Sequence, residues 1–118
     1  MRPSNDLPAV YLCREAVDFR KGINGLAALV EEALELDPFS EQLFVFCNRA
    51  RDRVRILYWE RNGFCLWHKR LEKHRFHWPR RLPGAVVTLT GQQLNWLLDG
   101  LDVLRMRPHE RLFYRHVS

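Results

Sequence analysis

Cys65, His68, His74 and His77 are side chains of metal-ligating type within one short stretch. Zinc would need four donors converging at about 2.0–2.3 Å. Cys65 and His68 lie three apart on a candidate strand, so they face opposite ways, and no second Cys is near. The set does not read as a metal site, and no cofactor is expected. The carboxylates Asp6, Asp18, Asp37 and Asp52 fall in turns or helix caps, where Asp is usual. No phosphate loop, dinucleotide fingerprint or activated Ser or Cys is present, so no enzymatic activity is expected. Gly22-Ile23-Asn24-Gly25 has the spacing of an RNA-clamping GXXG loop, but four residues are too few and a helical period runs through them.

The arginines carry more information. Arg53, Arg55, Arg61, His68 and Arg70 are interleaved with Leu57, Trp59, Phe64 and Leu66. Arginine holds phosphate and aromatic rings stack on unpaired bases, a combination suited to nucleic acid. An ordinary sheet face, with Glu72 balancing Arg53 and the aromatics under a helix, accounts for the same residues. Both readings stay open at this level.

A β-hairpin must position these side chains. Residues 53–60 and 64–71 read as its strands, and Asn62-Gly63 as a two-residue type I′ turn. That register sets Arg61 opposite Phe64, Trp59 opposite Leu66, Leu57 opposite His68 and Arg55 opposite Arg70. Opposed residues share a face, so Val54, Ile56, Tyr58, Trp67 and Leu71 form the other, which is expected to pack under the helices. LFVFC at 43–47 is apolar on both faces and reads as an interior strand. Residues 9–13 and 85–89 are further strands, and 76–78 a short one. Apolar residues from Phe19 to Leu34 recur at helical spacing, predicting a helix between about Asp18 and Glu35 that Asp18 can cap; Gly22 and Gly25 weaken its first turn, which leaves a later start open. Thr90 and Gln93 form a capping box for a last helix, whose stripe is Leu94, Leu97, Leu98 and Leu101, with Gly100 as terminator. The expected fold is α+β: an antiparallel sheet of four to five strands with two packing helices.

The chain has 118 residues, 47% of them hydrophobic, with a net charge of +5. Residues 1–102 are expected to form one domain and 103–118 a basic C-terminal arm. No apolar run reaches the roughly 20 residues of a membrane helix and no signal segment opens the chain, so it is expected in the cytosol without a membrane partner. Cys13, Cys47 and Cys65 read as reduced, mostly buried thiols. The charge is unevenly spread: residues 1–48 hold 4 Lys and Arg against 8 Asp and Glu, and residues 49–81 hold 11 against 3. Such asymmetry favours an anionic partner.

Three blocks complete the reading: VDFRKGINGLAALVEEAL, DPFSEQLFVFCNRARDRVRILYWERNGFCLWHKRLEKHRFHWP and LTGQQLNWLLDGLD. Together they resemble the TnpB accessory proteins of insertion sequences of the IS-sixty-six type, over about residues 9–102. Arg20, Lys21 and Gly22 match that family's D-x-R-K-G element, and Asp37 to Ser40 its D-P-F-S turn. Asn48, Arg49, Arg51, Asp52, Arg53, Lys69, Arg70, Leu71, Trp78 and Pro79 match its basic hairpin block. His68 and His74 depart from it, standing where Tyr and Gly are usual. The resemblance implies a protein that assists transposition beside a separate DDE transposase.

The resulting expectation is a non-catalytic accessory protein that binds DNA, at element ends or as bent and single-stranded intermediates, through the basic hairpin. Arg49, Arg51, Arg53, Arg55, Lys69 and Arg70 would hold phosphates, with Trp59 and Phe64 stacking or packing. Arg20 and Lys21 would add a contact near a helix start, and Arg105, Arg107 and Arg111 an electrostatic arm. The alternative is an adaptor that binds the transposase or the element's other accessory protein, with the aromatics as its interface core.

Overall fold

The computed structural model describes residues 9–106. Its elements follow the order β1 (Val10–Cys13), α1 (Ile23–Glu32), β2 (Leu43–Cys47), β3 (Arg53–Glu60), β4 (Gly63–Arg70), β5 (Val86–Leu89) and α2 (Gly91–Leu98). They build a five-stranded sheet in the order β4-β3-β2-β1-β5, an α+β fold as expected. Three of its pairings are antiparallel, while β1 and β2 run parallel. Parallel neighbours need a crossover, and α1 supplies it. Among the described residues no helix is long and apolar enough to cross a membrane.

The helices do not share one side of the sheet, as the sequence reading had it; they lie on opposite faces. Leu94, Leu97 and Leu98 of α2 pack with Val45, Val54, Ile56 and Trp78. Leu26 and Val30 of α1 pack with Phe44, Phe46 and Leu57. β2 is buried along its whole length because both layers cover it. The mixed face of the hairpin is therefore partly core: Leu57 is fully buried, and Phe64 and Leu66 pack at the margin of the α1 layer.

The hairpin register is shifted by two residues from the expected one. Arg61 and Asn62 form the loop, Trp59 faces Phe64, Leu57 faces Leu66, Arg55 faces His68 and Arg53 faces Arg70. Tertiary packing overrides the Asn-Gly signal, since this register stacks Leu57 on Leu66 under α1 and brings Trp59 edge-on to Phe64. The loop accepts strain in exchange: Arg61 takes a φ of 54°, and the Asn62 N–H donates to the Glu60 carbonyl at 2.6 Å in a three-residue γ-turn. A shift of two preserves side-chain parity, so both predicted faces keep their members.

Helix α1 begins at Ile23, not Asp18. Its cap position is Gly22, which offers no side-chain bond, and Asp18 turns to Arg20 instead. Gly22 and Gly25 remove helix propensity where the longer helix would have started. Helix α2 has the expected capping box, with Gln93 N–H donating to Thr90 Oγ1 at 3.1 Å and Thr90 N–H to Gln93 Oε1 at 2.8 Å. It ends in a Schellman motif: Leu101 N–H reaches the Trp96 carbonyl, Gly100 N–H reaches Leu97, and Gly100 has φ 86°. That left-handed turn swings Leu101 out to solvent, so it is not part of the buried stripe. Residues 76–78 form no strand; they belong to a strap, 71–85, that crosses from the β4 edge to the β5 edge. Val103 is buried, so the stretch expected as an arm begins docked on the core.

Candidate nucleic-acid interface

The arginines gather at one end of the sheet, where β1, β2 and β4 finish and β3 begins. Arg14 follows β1, Arg49 and Arg51 sit in the turn after β2, and Arg53 opens β3. Two larger clefts and a smaller one run along this rim. The first, about 590 Å³, is walled by residues 16–20 and by Arg49, Arg53 and Arg55. The second, about 600 Å³, is lined by Arg51, Arg75, Arg80, Arg81 and Arg105 with Asp102. A smaller cleft of about 220 Å³, with Arg14, Arg49, Arg51 and Arg80, joins them.

The turn at 48–52 is held from within. Asn48 Nδ2 donates to Asp52 Oδ1 at 2.7 Å, and Asn48 Oδ1 accepts the Arg53 N–H at 3.0 Å. The first of these bonds also holds the Asp52 carboxyl below its usual range. The strap is tied to the turn through Phe76 N–H to the Arg51 carbonyl at 2.7 Å, and through Leu71 N–H to Asp52 at 2.8 Å. Arg51 adopts φ 60°, which turns the chain sharply at the tip.

The predicted residues divide by what their side chains already hold. Arg20 and Asp18 form a forked pair, with contacts of 2.6 and 2.9 Å, and the bonds from Arg20 lower the Asp18 pKa to about 2. Arg55 is turned inward: its Nη1 donates to the Phe19 carbonyl at 2.9 Å and to the Lys21 carbonyl at 3.2 Å, and its guanidinium lies 4.6 Å from the Phe19 ring centre. Its Nε reaches His68 Nδ1 at 3.3 Å. Burial, then the charges of Arg55, Arg53 and Arg70, push the His68 pKa down. Arg70 pairs with Glu72 at 3.1 Å, and Arg105 with Asp102 at 3.7 Å. Lys69 lies on the opposite face, where its Nζ donates to the Leu98 carbonyl at 2.7 Å and closes the end of α2. Among the described residues no hydrogen bond or ion pair engages the side chains of Arg49, Arg51, Arg53, Arg75, Arg80 or Arg81.

Arg20, Arg49, Arg53 and Arg55 thus share one cleft, and Arg51 and Arg105 share the next. Lys21 is exposed and lines neither. Trp59 and Phe64 stand at the hairpin tip, about 20 Å along the strands from Arg53. There they pack on each other with 5.0 Å between ring centres, and on Phe39 at 5.0 and 5.2 Å. Arg107 and Arg111 lie outside the described residues. Arg14, Arg75, Arg80 and Arg81 were not singled out from the sequence. The charge excess of residues 49–81 was the available signal for the last three.

Comparison with known proteins gives the rim a context. No solved structure matches the chain. Two proteins of Sinorhizobium fredii are similar: uncharacterized protein y4jC is 38% identical over 105 residues, 89% of this chain and 88% of its own. Uncharacterized protein y4hO is 36% identical over 102 residues, 86% of this chain and 88% of its own. The family described as IS66 Orf2 like protein matches residues 8–108, which span nearly all of the described fold. The chain therefore belongs to the IS66 Orf2-like family, whose members are accessory proteins of insertion-sequence transposition.

Proposed function

We propose that the protein serves transposition by holding DNA of the element through the arginine rim, while a separate transposase carries the chemistry. The supporting observation is the convergence of Arg49 and Arg53, both without a side-chain partner among the described residues, with Arg20 in one cleft. Arg53 also stands directly opposite Arg70, a like-charge pair that an intervening anion would relieve. The interface is the end of the sheet and not the hairpin face, because α1 occupies much of that face.

Fluorescence anisotropy with a duplex of the element's terminal inverted repeat, beside a scrambled duplex, tests this reading over about 50–300 mM salt. Each neutralised phosphate contributes about −0.9 to the log–log salt slope on duplex DNA. Arg49→Ala combined with Arg53→Ala is expected to flatten that slope by about 2, with unchanged thermal stability. No binding at about 50 mM salt would remove the DNA reading.

An adaptor reading has its own observation. Phe39 is 52% exposed and caps Trp59 and Phe64 at the tip, away from the rim. If that cluster docks the transposase, Phe39→Ala abolishes a transposase pull-down and leaves DNA affinity untouched.

A further inference from the structure

We infer that the 48–52 turn enters a groove of duplex DNA and that the two clefts flanking this turn each hold one strand. Arg75, Arg80 and Arg81 then form a second phosphate site, matching the first across the turn. This inference rests on the DNA-holding reading and specifies its substrate as double-stranded.

The clefts lie on opposite sides of the sheet layer. The first is walled by the loop that leads into α1, while the second is walled by the strap, whose Phe76 and Trp78 belong to the α2-side core. The turn stands between them, with Arg49 lining one and Arg51 the other. Layers of a fold pack about 10 Å apart, so walls on either side of one sheet are separated by roughly 10–15 Å. The major groove of B-DNA is about 12 Å wide. Six hydrogen bonds through Asn48, Asp52 and Arg51 hold the turn in shape, so it loses little freedom on entering a groove.

Charge and stacking both favour this arrangement over a single strand threaded along the rim. The second cleft sets five arginines against one aspartate, and Arg51, Arg75, Arg80 and Arg81 hold no partner among the described residues. Binding of single strands relies on aromatic platforms as well as charge. Here Phe76 and Trp78 are buried, and the half-buried Phe19 ring is covered by the Arg55 guanidinium. The imidazole of His77 is the ring left exposed along the clefts. A surface of cations with little to stack on grips backbones.

The test is anisotropy of the full chain with a duplex and with a single strand of equal length, using two double variants. Arg80→Ala with Arg81→Ala removes two cations from the second cleft, and Arg49→Ala with Arg53→Ala removes two from the first. Each pair is expected to flatten the duplex slope by about 2, so that salt from 50 to 200 mM weakens binding about tenfold less than in the unaltered protein. The unaltered protein should bind duplex at least about tenfold tighter than single strand. A duplex slope unchanged by the Arg80/Arg81 pair, but flattened by the other, would overturn the two-strand arrangement and leave the DNA-holding reading standing. Equal affinity for single strand, with both pairs flattening its slope, would overturn it in favour of a threaded strand. Absence of any DNA binding would sink both readings. All four side chains are without partners among the described residues, and circular dichroism of each variant should match the parent.

Discussion

Trp78→Ala is expected to lower the unfolding free energy by about 3–5 kcal/mol, the range for removing a large buried aromatic side chain. The ring is 8% exposed within the α2-side core. Its indole Nε1 donates to the Cys13 carbonyl at 3.1 Å, the last residue of β1. Trp78 is thus the pin by which the strap crosses the sheet end, and its loss leaves a cavity beneath the wall of the second cleft. Trp78→Phe keeps most of the packing and gives up that hydrogen bond, so about 1–2 kcal/mol is expected. Urea unfolding checks both: the midpoint should fall in this order with the slope unchanged. A Trp78→Ala midpoint close to that of the parent would mean the strap is held elsewhere.

Arg55 separates structure from binding. As a surface phosphate clamp it could be removed at no cost to stability. The geometry says otherwise, since its guanidinium bridges two carbonyls of the β1–α1 loop and covers the Phe19 ring. Arg55→Ala is expected to cost about 2–3 kcal/mol, from two charge-assisted hydrogen bonds and a cation–π contact at a half-buried site. Arg55→Lys restores the charge without the planar fork, so it should recover less than half of that loss. Arg53→Ala, next but one along the same strand face, should leave the urea midpoint in place and change only the salt dependence of DNA binding. If Arg55→Ala behaved like Arg53→Ala in both measurements, the inward bonds would carry no weight in solution.

The strands and helices were largely legible because each has a local signature. LFVFC is apolar on both sides, and only a strand covered on both faces needs that. Thr90 and Gln93 mark the start of α2 through two bonds that any such pair can make. The faces of the hairpin survived a wrong register because parity, and not turn identity, decides which side a residue occupies. The side on which each helix lies was not legible. Leu57, Phe64 and Leu66, mixed with Arg, read as a half-solvated face until α1 is seen to cover their apolar part. The start of α1 lies later than the apolar period suggests because that period continues N-terminally through Phe19, while the backbone enters the helix only after Gly22.

Half of the rim was legible for a similar reason. Arg49, Arg51 and Arg53 are adjacent in sequence, and a short turn has to present them together. Arg14 joins them only because β1 lies parallel to β2, a pairing that depends on the α1 crossover. Arg75, Arg80 and Arg81 join them only because the strap recrosses the sheet end, along a path without period. Convergence of that kind belongs to topology, and no window of sequence contains it.

The cysteines give the fold a reporter of its own opening. Burial raises the Cys13 thiol and pushes that of Cys47 up to about 12, while Cys65 is half-buried on the edge strand. At neutral pH burial thus keeps Cys47 as the thiol and not the thiolate, the reactive form. A thiol reagent added to the native protein therefore meets Cys65 first. Cys47, in the central strand, is modified only when the sheet comes apart, so its labelling rate counts excursions to the open state. Mass spectrometry of the labelled chain would read that rate site by site, with and without DNA, in protein that carries no introduced probe.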